Sequence, residues 1–346
     1  MSHPSPSIEL VPETPAKLTH LRIKHPHIAE VMSDLDTLIH PDSQDSILLV
    51  CGPTGVGKST LARYFVEHAS DQASAQMEQD AGLVPAVYIE APASGENDFS
   101  WRLFYQRILN QLDGEIRAPK AAYGLDPHTG CIVRPRGRSG NSLAALRTAV
   151  ERALRARKTR FLVIDEAAHI IRQTRSNRLQ IQLDTLKSLA NECGTQMVLV
   201  GSYDLYQLMS LSGQLARRTH VLHFQRYRQE DAQDFNAFKG CVMKFENELP
   251  SLWGQNLVKH SEALLYNTLG CIGTLSAVLT RAAMLAGKDG RWSVDALNRA
   301  LLTEIQRNQI LEEILAGEAE LTQGLIRKMS TIKTRADIRS GMCASH

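Results

Sequence analysis

Gly52-Pro53-Thr54-Gly55-Val56-Gly57-Lys58-Ser59-Thr60 directly follows the apolar run Ile47-Leu-Leu-Val-Cys51, and its reading decides the rest of the chain. It fits G-x-x-x-x-G-K-[ST], a phosphate-binding loop set between a strand and a helix. The glycines let the backbone curl until successive N–H groups face phosphate oxygens, and the positive end of the following helix adds to the attraction. Lys58 is the expected ligand of the β- and γ-phosphates, and the Ser59 hydroxyl suits the shell of a Mg²⁺ ion. ATP and Mg²⁺ are the expected cofactors, held by residues 52–60.

A second acidic signal lies about a hundred residues on. Phe161-Leu-Val-Ile-Asp165-Glu166 reads as a fully buried strand that delivers two carboxylates at its C-terminal edge, where α/β sheets bind ligands. Asp165 is expected to hold Mg²⁺ and Glu166 to orient the water that attacks the γ-phosphate. Strand Gln196–Gly201 leads to Ser202, a candidate sensor of the γ-phosphate or else the N-cap of the next helix, a role for which Asp204 competes. Arg218, with Arg217 as second choice, stands just before the last core strand and can serve a neighbouring subunit's site as a finger; the alternative is a plain surface pair.

These pieces fall into an ordered chain of 346 residues, with 43% hydrophobic and 22% charged residues, ordinary values for a globular protein. Strands at 47–51, 84–92, 160–165, 196–201 and 221–224 alternate with helices, so the fold class expected is α/β with a parallel five-stranded sheet flanked by helices. Residues 1–25 read as an extended, Pro-rich arm, 26–225 as the nucleotide-binding domain, 226–316 as a small helical lid domain and 317–346 as a basic tail. Helices are expected near 230–245, 258–269, 274–286 and 294–315. No apolar run approaches the length that spans a bilayer, so no membrane partner is expected, nor a signal peptide. The six cysteines are scattered without a C-x-x-C pair, which fits a reducing cytoplasm. Residues 91–160 hold thirteen Lys/Arg against six Asp/Glu, a local excess that attracts polyphosphate, nucleic acid or an acidic surface. Their stretch 114–141 is the longest loop-like segment.

Val163-Ile-Asp-Glu-Ala-Ala-His169, Leu186-Lys-Ser-Leu-Ala-Asn191 and Val198-Leu-Val-Gly-Ser202 together resemble the AAA+ regulators of Tn7-like and Tn5053-like transposons, the TnsC/TniB family. Gly213-Gln-Leu-Ala-Arg217-Arg218 and Gly270-Cys-Ile-Gly273-Thr-Leu resemble its finger and lid segments, and the likeness spans roughly residues 26–286. The resemblance implies an AAA+ P-loop ATPase of the bacterial cytoplasm that forms a homo-oligomeric ring or filament on double-stranded DNA. It implies a link between a TniQ-type target selector and the transposase, in some systems CRISPR-associated. By the same resemblance Arg102, Arg107 and Lys120 are DNA-binding candidates, with Arg134, Arg136 and Arg138 as an extension. Such contacts go mainly to phosphates and carry little sequence specificity.

The chain departs from the pattern where many AAA+ lids place an arginine, since Gly273 and Thr274 stand there. Slow hydrolysis, or dependence on Arg217 and Arg218 of a neighbour, is expected. Target choice is expected to come from partners. The alternative within the same fold is a replication initiator or helicase loader, which would bring a winged helix or helicase-binding module; neither is legible here.

Overall fold

The computed structural model describes residues 16–38, 47–93, 95, 98–112, 124–125, 132–133, 142–174, 178–206, 219–289 and 292–321. The first elements in chain order are α1 (Ala16–His20), α2 (Pro26–Leu38), β1 (Ile47–Cys51), α3 (Lys58–Gln72), α4 (Ser74–Gln79), β2 (Ala86–Glu90) and α5 (Trp101–Leu112). A short pair, β3 (Gly124–Leu125) and β4 (Ile132–Val133), precedes α6 (Leu143–Ala156), β5 (Phe161–Asp165), α7 (Ala168–Arg172), α8 (Leu179–Cys193), β6 (Gln196–Gly201) and β7 (Thr219–His223). Then come α9 (Ala232–Glu248), α10 (Pro250–Trp253), α11 (Ser261–Thr268), α12 (Ile272–Asp289) and α13 (Val294–Ala300), with a last helix over 304–321.

The described residues divide into two compact units. One falls within Glu30–Pro53, Lys58–Phe224 and Leu315–His346, the other within Met1–Ala29, Thr54–Gly57 and Gln225–Ile314.

The first unit is built on a five-stranded sheet in the order β2-β5-β6-β1-β7, every pair parallel. Burial separates centre from edge. β1 and β5 are buried at every position, whereas the edge strands β2 and β7 alternate with more exposed residues. The register sets Cys51 opposite both Gly201 and His223, and Glu90 opposite Asp165. The C-terminal ends of the strands are thereby brought to one edge. Helix α6 begins because the Ser142 side chain accepts from Ala145 N–H, and it buries Leu146, Val150 and Leu154 at four-residue spacing. Helix α8 buries Leu179, Leu183, Leu186 and Ala190 at alternating four- and three-residue spacing and stops at Gly194, whose φ of 61° only glycine adopts freely. The stretch expected to be one long loop contains the β3–β4 antiparallel pair, with Leu125 opposite Ile132.

The helical unit has its own core, in which Phe238, Phe245, Trp253, Leu264, Leu275 and Leu279 are each at most 1% exposed. The Asp231 carboxylate caps α9 by accepting from Gln233 and Asp234 N–H. The buried Glu246 side chain accepts at Oε2 from the N–H groups of Leu257 (2.6 Å) and Val258 (3.0 Å), which gives that oxygen its partners.

Three expectations are corrected. Residues 16–25 are not an extended arm: α1 and the residues after it put Leu18, Ile23 and His25 into the helical core, at 0%, 7% and 5% exposure. The four prolines behind that expectation all lie before residue 16, and apolar residues take over at Leu18. The helix expected over 294–315 is two helices. Thr303 and Gln306 form a capping box, with Thr303 N–H donating to Gln306 Oε1 (3.0 Å) and Gln306 N–H to Thr303 Oγ1 (3.4 Å). The signature Thr303-Glu-Ile-Gln306 was visible in the sequence. Finally, residues 317–321 are not tail. Gly317 lies so close to Tyr203 that a Cβ would stand 2.1 Å from its ring, and Leu321 is buried with Cys51 and Tyr203.

Leu18→Ala is expected to cost ~2–5 kcal/mol in chemical denaturation, the range for a buried leucine; an arm would lose nothing measurable. The His25 imidazole, hydrogen-bonded to Tyr227 Oη at 2.8 Å, is pushed down to about 4, chiefly by burial and then by His27 and Lys244. Above the unfolded value of 6.5 both states are neutral, and below it only the unfolded chain binds the proton. Stability is therefore expected to fall by about 3 kcal/mol between pH 6.5 and 4, the equivalent of the shift. Urea titrations across that window should show a shallower decline for His25→Gln than for the unchanged chain.

Candidate functional site

The loop after β1 is shaped by close backbone approach. Phe224 N–H donates to Cys51 O (2.8 Å), and a Cβ at Gly52 would stand 2.4 Å from Phe224 O, so no side chain fits at residue 52. Gly55 and Gly57 have φ of 80° and 115°, the region glycine favours. Lys58 begins α3 and its Nζ donates to Gly52 O (2.9 Å) and Pro53 O (2.8 Å). No acidic residue stands in the first turn of α3, so the helix itself supplies no counter-charge to its positive end. A side-chain-free start, left-handed glycines, a lysine and an uncompensated helix N-terminus fit a nucleoside polyphosphate.

Asp165 is 2% exposed at the end of β5. Its Oδ1 accepts from Glu166 N–H (2.9 Å) and its Oδ2 from the Tyr88 hydroxyl (2.8 Å). A buried, ionisable oxygen pair of this kind suits a hard cation such as Mg²⁺, for which Asp165 and Ser59 are the candidate ligands. Glu166 has φ of 51°, a left-handed conformation that costs a non-glycine residue ~1–3 kcal/mol. The turn is held from several sides: Ala91 N–H donates to Asp165 O, Ala167 N–H to Val200 O, and His169 N–H to Glu166 O. Strain sustained by so many bonds marks a residue whose direction matters, and Glu166 is the candidate water-orienting carboxylate.

Tyr88 and Arg172 escaped the sequence reading. Tyr88 carries a polar tip in the apolar run Ala86–Glu90, the one available signal. Its phenol is pushed up to about 12 by burial first and by the Asp165 charge second, so it stays a donor near neutral pH. Arg172 Nε donates to Asp204 Oδ2 (2.6 Å) and its Nη2 to Ser202 Oγ (3.3 Å), while the Ser202 hydroxyl donates to Asp204 Oδ2 (3.2 Å). The Ser202 side chain is thus tied to Arg172 and Asp204, and the turn after it closes through the backbone bond from Leu205 N–H to Ser202 O.

Within the helical unit, which includes Thr54–Gly57, Thr274 N–H donates to Gly55 O at 2.9 Å. A Cβ at Gly273 would stand 2.6 Å from that same oxygen, and one at Gly55 would stand 2.1 Å from Thr274 Oγ1. The backbone at residue 273 thus lies too close to Gly55 O to carry a side chain.

Of the other candidates, Arg102 and Arg107 are exposed on α5, and Arg107 Nη1 donates to Glu90 O (2.6 Å), bracing the end of β2. Lys120, Arg134, Arg136, Arg138, Arg217 and Arg218 lie outside the described residues. Among the described residues no group of three His, Cys, Asp or Glu is placed to hold a metal, and no helix is long and apolar enough to cross a membrane.

Glu166→Gln is expected to retain nucleotide binding and lose turnover at least about 100-fold, the scale of removing a positioned general base. Equilibrium binding of a fluorescent nucleotide beside a phosphate-release assay separates the two. Loss of binding in a folded variant would make Glu166 structural.

Residues 40–209 match the AAA domain family. The ORC2 protein of Aeropyrum pernix, solved as ADPNP–ADP complexes, is similar over 85% of this chain and 69% of that chain, at 16% identity and a TM-score of 0.53. A Walker-type ATPase of Pyrococcus abyssi is similar over 92% and 81%, at 12% identity and 0.49. Domain III of the replication initiation protein DnaA from Thermotoga maritima is similar over 82% and 94%, at 14% identity and 0.46. No curated protein matches. The fold is the AAA+ P-loop fold.

Proposed function

We propose that this AAA+ ATPase regulates transposition: it assembles on double-stranded DNA with ATP and connects a TniQ-type target selector to the transposase. The observation that carries the reading is the set of three blocks, Val163–His169, Leu186–Asn191 and Val198–Ser202, on β5 and its turn, on α8 and on β6 with the residue after it. Their apolar members are core residues, Leu186 and Leu189 at 0% exposure, so packing accounts for them. Lys187 and Asn191, the polar members of the Leu-Lys-x-Leu-Ala-Asn pattern at 186–191, supply the more specific part of the likeness.

In this function Lys58 and the loop hold the phosphates, and Glu166 orients the attacking water. Asp165 and Ser59 would hold Mg²⁺, which would supply positive charge to neutralise the phosphates. Arg218 or Arg217 of an adjacent subunit completes the site, which makes hydrolysis depend on assembly. Arg102, Arg107, Lys120, Arg134, Arg136 and Arg138 engage DNA phosphates, in keeping with the basic excess of residues 91–160. A nucleotide-dependent grip on DNA of any sequence leaves the choice of target to the selector.

Electron microscopy with duplex DNA under ATP, a slowly hydrolysed analogue and ADP is expected to show ordered assemblies with the first two only. Insertion reconstituted with the cognate transposase is expected to require this chain. Binding to a replicative helicase, with insertion independent of the chain, would favour the alternative of an initiator or helicase loader. Alanine at Arg134, Arg136 and Arg138 together should lower the slope of log affinity against log salt by about 0.9 for each phosphate that is no longer neutralised. An unchanged slope removes that segment from the DNA footprint.

A further inference from the structure

Strand β2 is an edge strand, and along it Val87 and Ile89 enter the main core while Tyr88 faces the other way. An aromatic residue on an edge strand ordinarily does its work by packing, with its hydroxyl in water. Tyr88 does otherwise. Its hydroxyl reaches across to the next strand and donates to Asp165 Oδ2 at 2.8 Å, two positions beyond its own register partner Val163. On its other side the Arg63 guanidinium, carried by α3, lies over the ring at 5.4 Å from the centroid. The phenol is therefore held between a cation above its face and a carboxylate at its tip.

The two oxygens of Asp165 are thereby each given one donor, Glu166 N–H on Oδ1 and Tyr88 on Oδ2. A carboxylate oxygen has two acceptor sites, so one on each oxygen stays available, and the plane of the group is fixed by two bonds from different elements. Groups that hydrogen-bond a metal-binding carboxylate set its orientation and its hold on the ion.

We propose that Tyr88 is a positioning residue of the nucleotide site, its hydroxyl aiming the Asp165 carboxylate at the divalent cation that accompanies the nucleotide, with Arg63 steadying the phenol. The proposal rests on the reading of Asp165 as the metal-binding carboxylate and is independent of the role in transposition. Tyr88 acts through Asp165.

The test is Tyr88→Phe, which keeps the ring under Arg63 and removes only the hydroxyl. Mn²⁺ binding to the 346-residue chain with ADP is followed by electron paramagnetic resonance, with nucleotide binding in EDTA and thermal melting measured alongside. Tyr88→Phe is expected to weaken Mn²⁺ binding about tenfold, the lower end of the effect of such outer partners. Nucleotide binding in EDTA should be unchanged. Asp165→Asn serves as the reference. If Asp165→Asn weakens Mn²⁺ binding and Tyr88→Phe does not, the positioning role is overturned while the site reading stands. If Asp165→Asn leaves Mn²⁺ binding unchanged, the site reading fails and the positioning role with it. A Tyr88→Phe protein that melts early yet binds Mn²⁺ normally shows a merely structural tyrosine and likewise overturns the proposal.

Discussion

Everything at the candidate site depends on the parallel ladder that seats β1 between β6 and β7. Because Cys51 stands opposite both Gly201 and His223, the chain leaving β1 must pass the backbone leaving β7. There Phe224 bonds to Cys51 and its carbonyl fills the space of a Cβ at residue 52. The first glycine of the loop is thus required by the sheet before any phosphate is considered. The same ladder, extended through β6 to β5, brings Asp165 and Ser202 to that edge, where a buried strand can end on a charged or polar group without burying it unpaired.

Asp165 then has a double office. One oxygen holds the N–H of Glu166 in a left-handed turn, and the other is held by Tyr88. The conformational cost at Glu166 is offset by a set of backbone bonds to neighbouring segments, so the turn is over-determined rather than merely tolerated. With Asp165 holding the cation, as proposed, a carboxylate shared in this way would couple the metal position to the direction of Glu166. In the proposed function that coupling ties cation binding to the orientation of the hydrolytic water.

The helical unit shows the same logic in glycine. Gly270, with φ of 73°, lies where a Cβ would stand 1.8 Å from Tyr227 O, and a Cβ at Gly273 would likewise collide with Gly55 O. Tyr227 in turn stacks on His27 at 4.1 Å and bonds His25. The residues around the start of α2, the turn before α12 and the loop tip Thr54–Gly57 thus form one contiguous set of contacts inside that unit. A side chain at residue 273 therefore has no room there.

The local chemistry was legible in the sequence. The loop 52–60, the strand ending in Asp165-Glu166 and the periodicity of α6 and α8 follow from glycine freedom, apolar runs and helical spacing, all of which act over neighbouring residues. The pairing of strands into β2-β5-β6-β1-β7, the donor that Tyr88 supplies to Asp165, the Arg172–Asp204–Ser202 cluster and the burial of Leu18 and Ile23 were not legible. Their partners stand tens to hundreds of residues apart in the chain; Tyr88 and Asp165 are separated by 77 positions. Sequence by itself determined which residues are the candidates for holding phosphate and cation and which elements carry them. Only the tertiary structure decided how those residues are aimed, because direction comes from hydrogen bonds and close contacts that exist once the sheet and the helical core have closed.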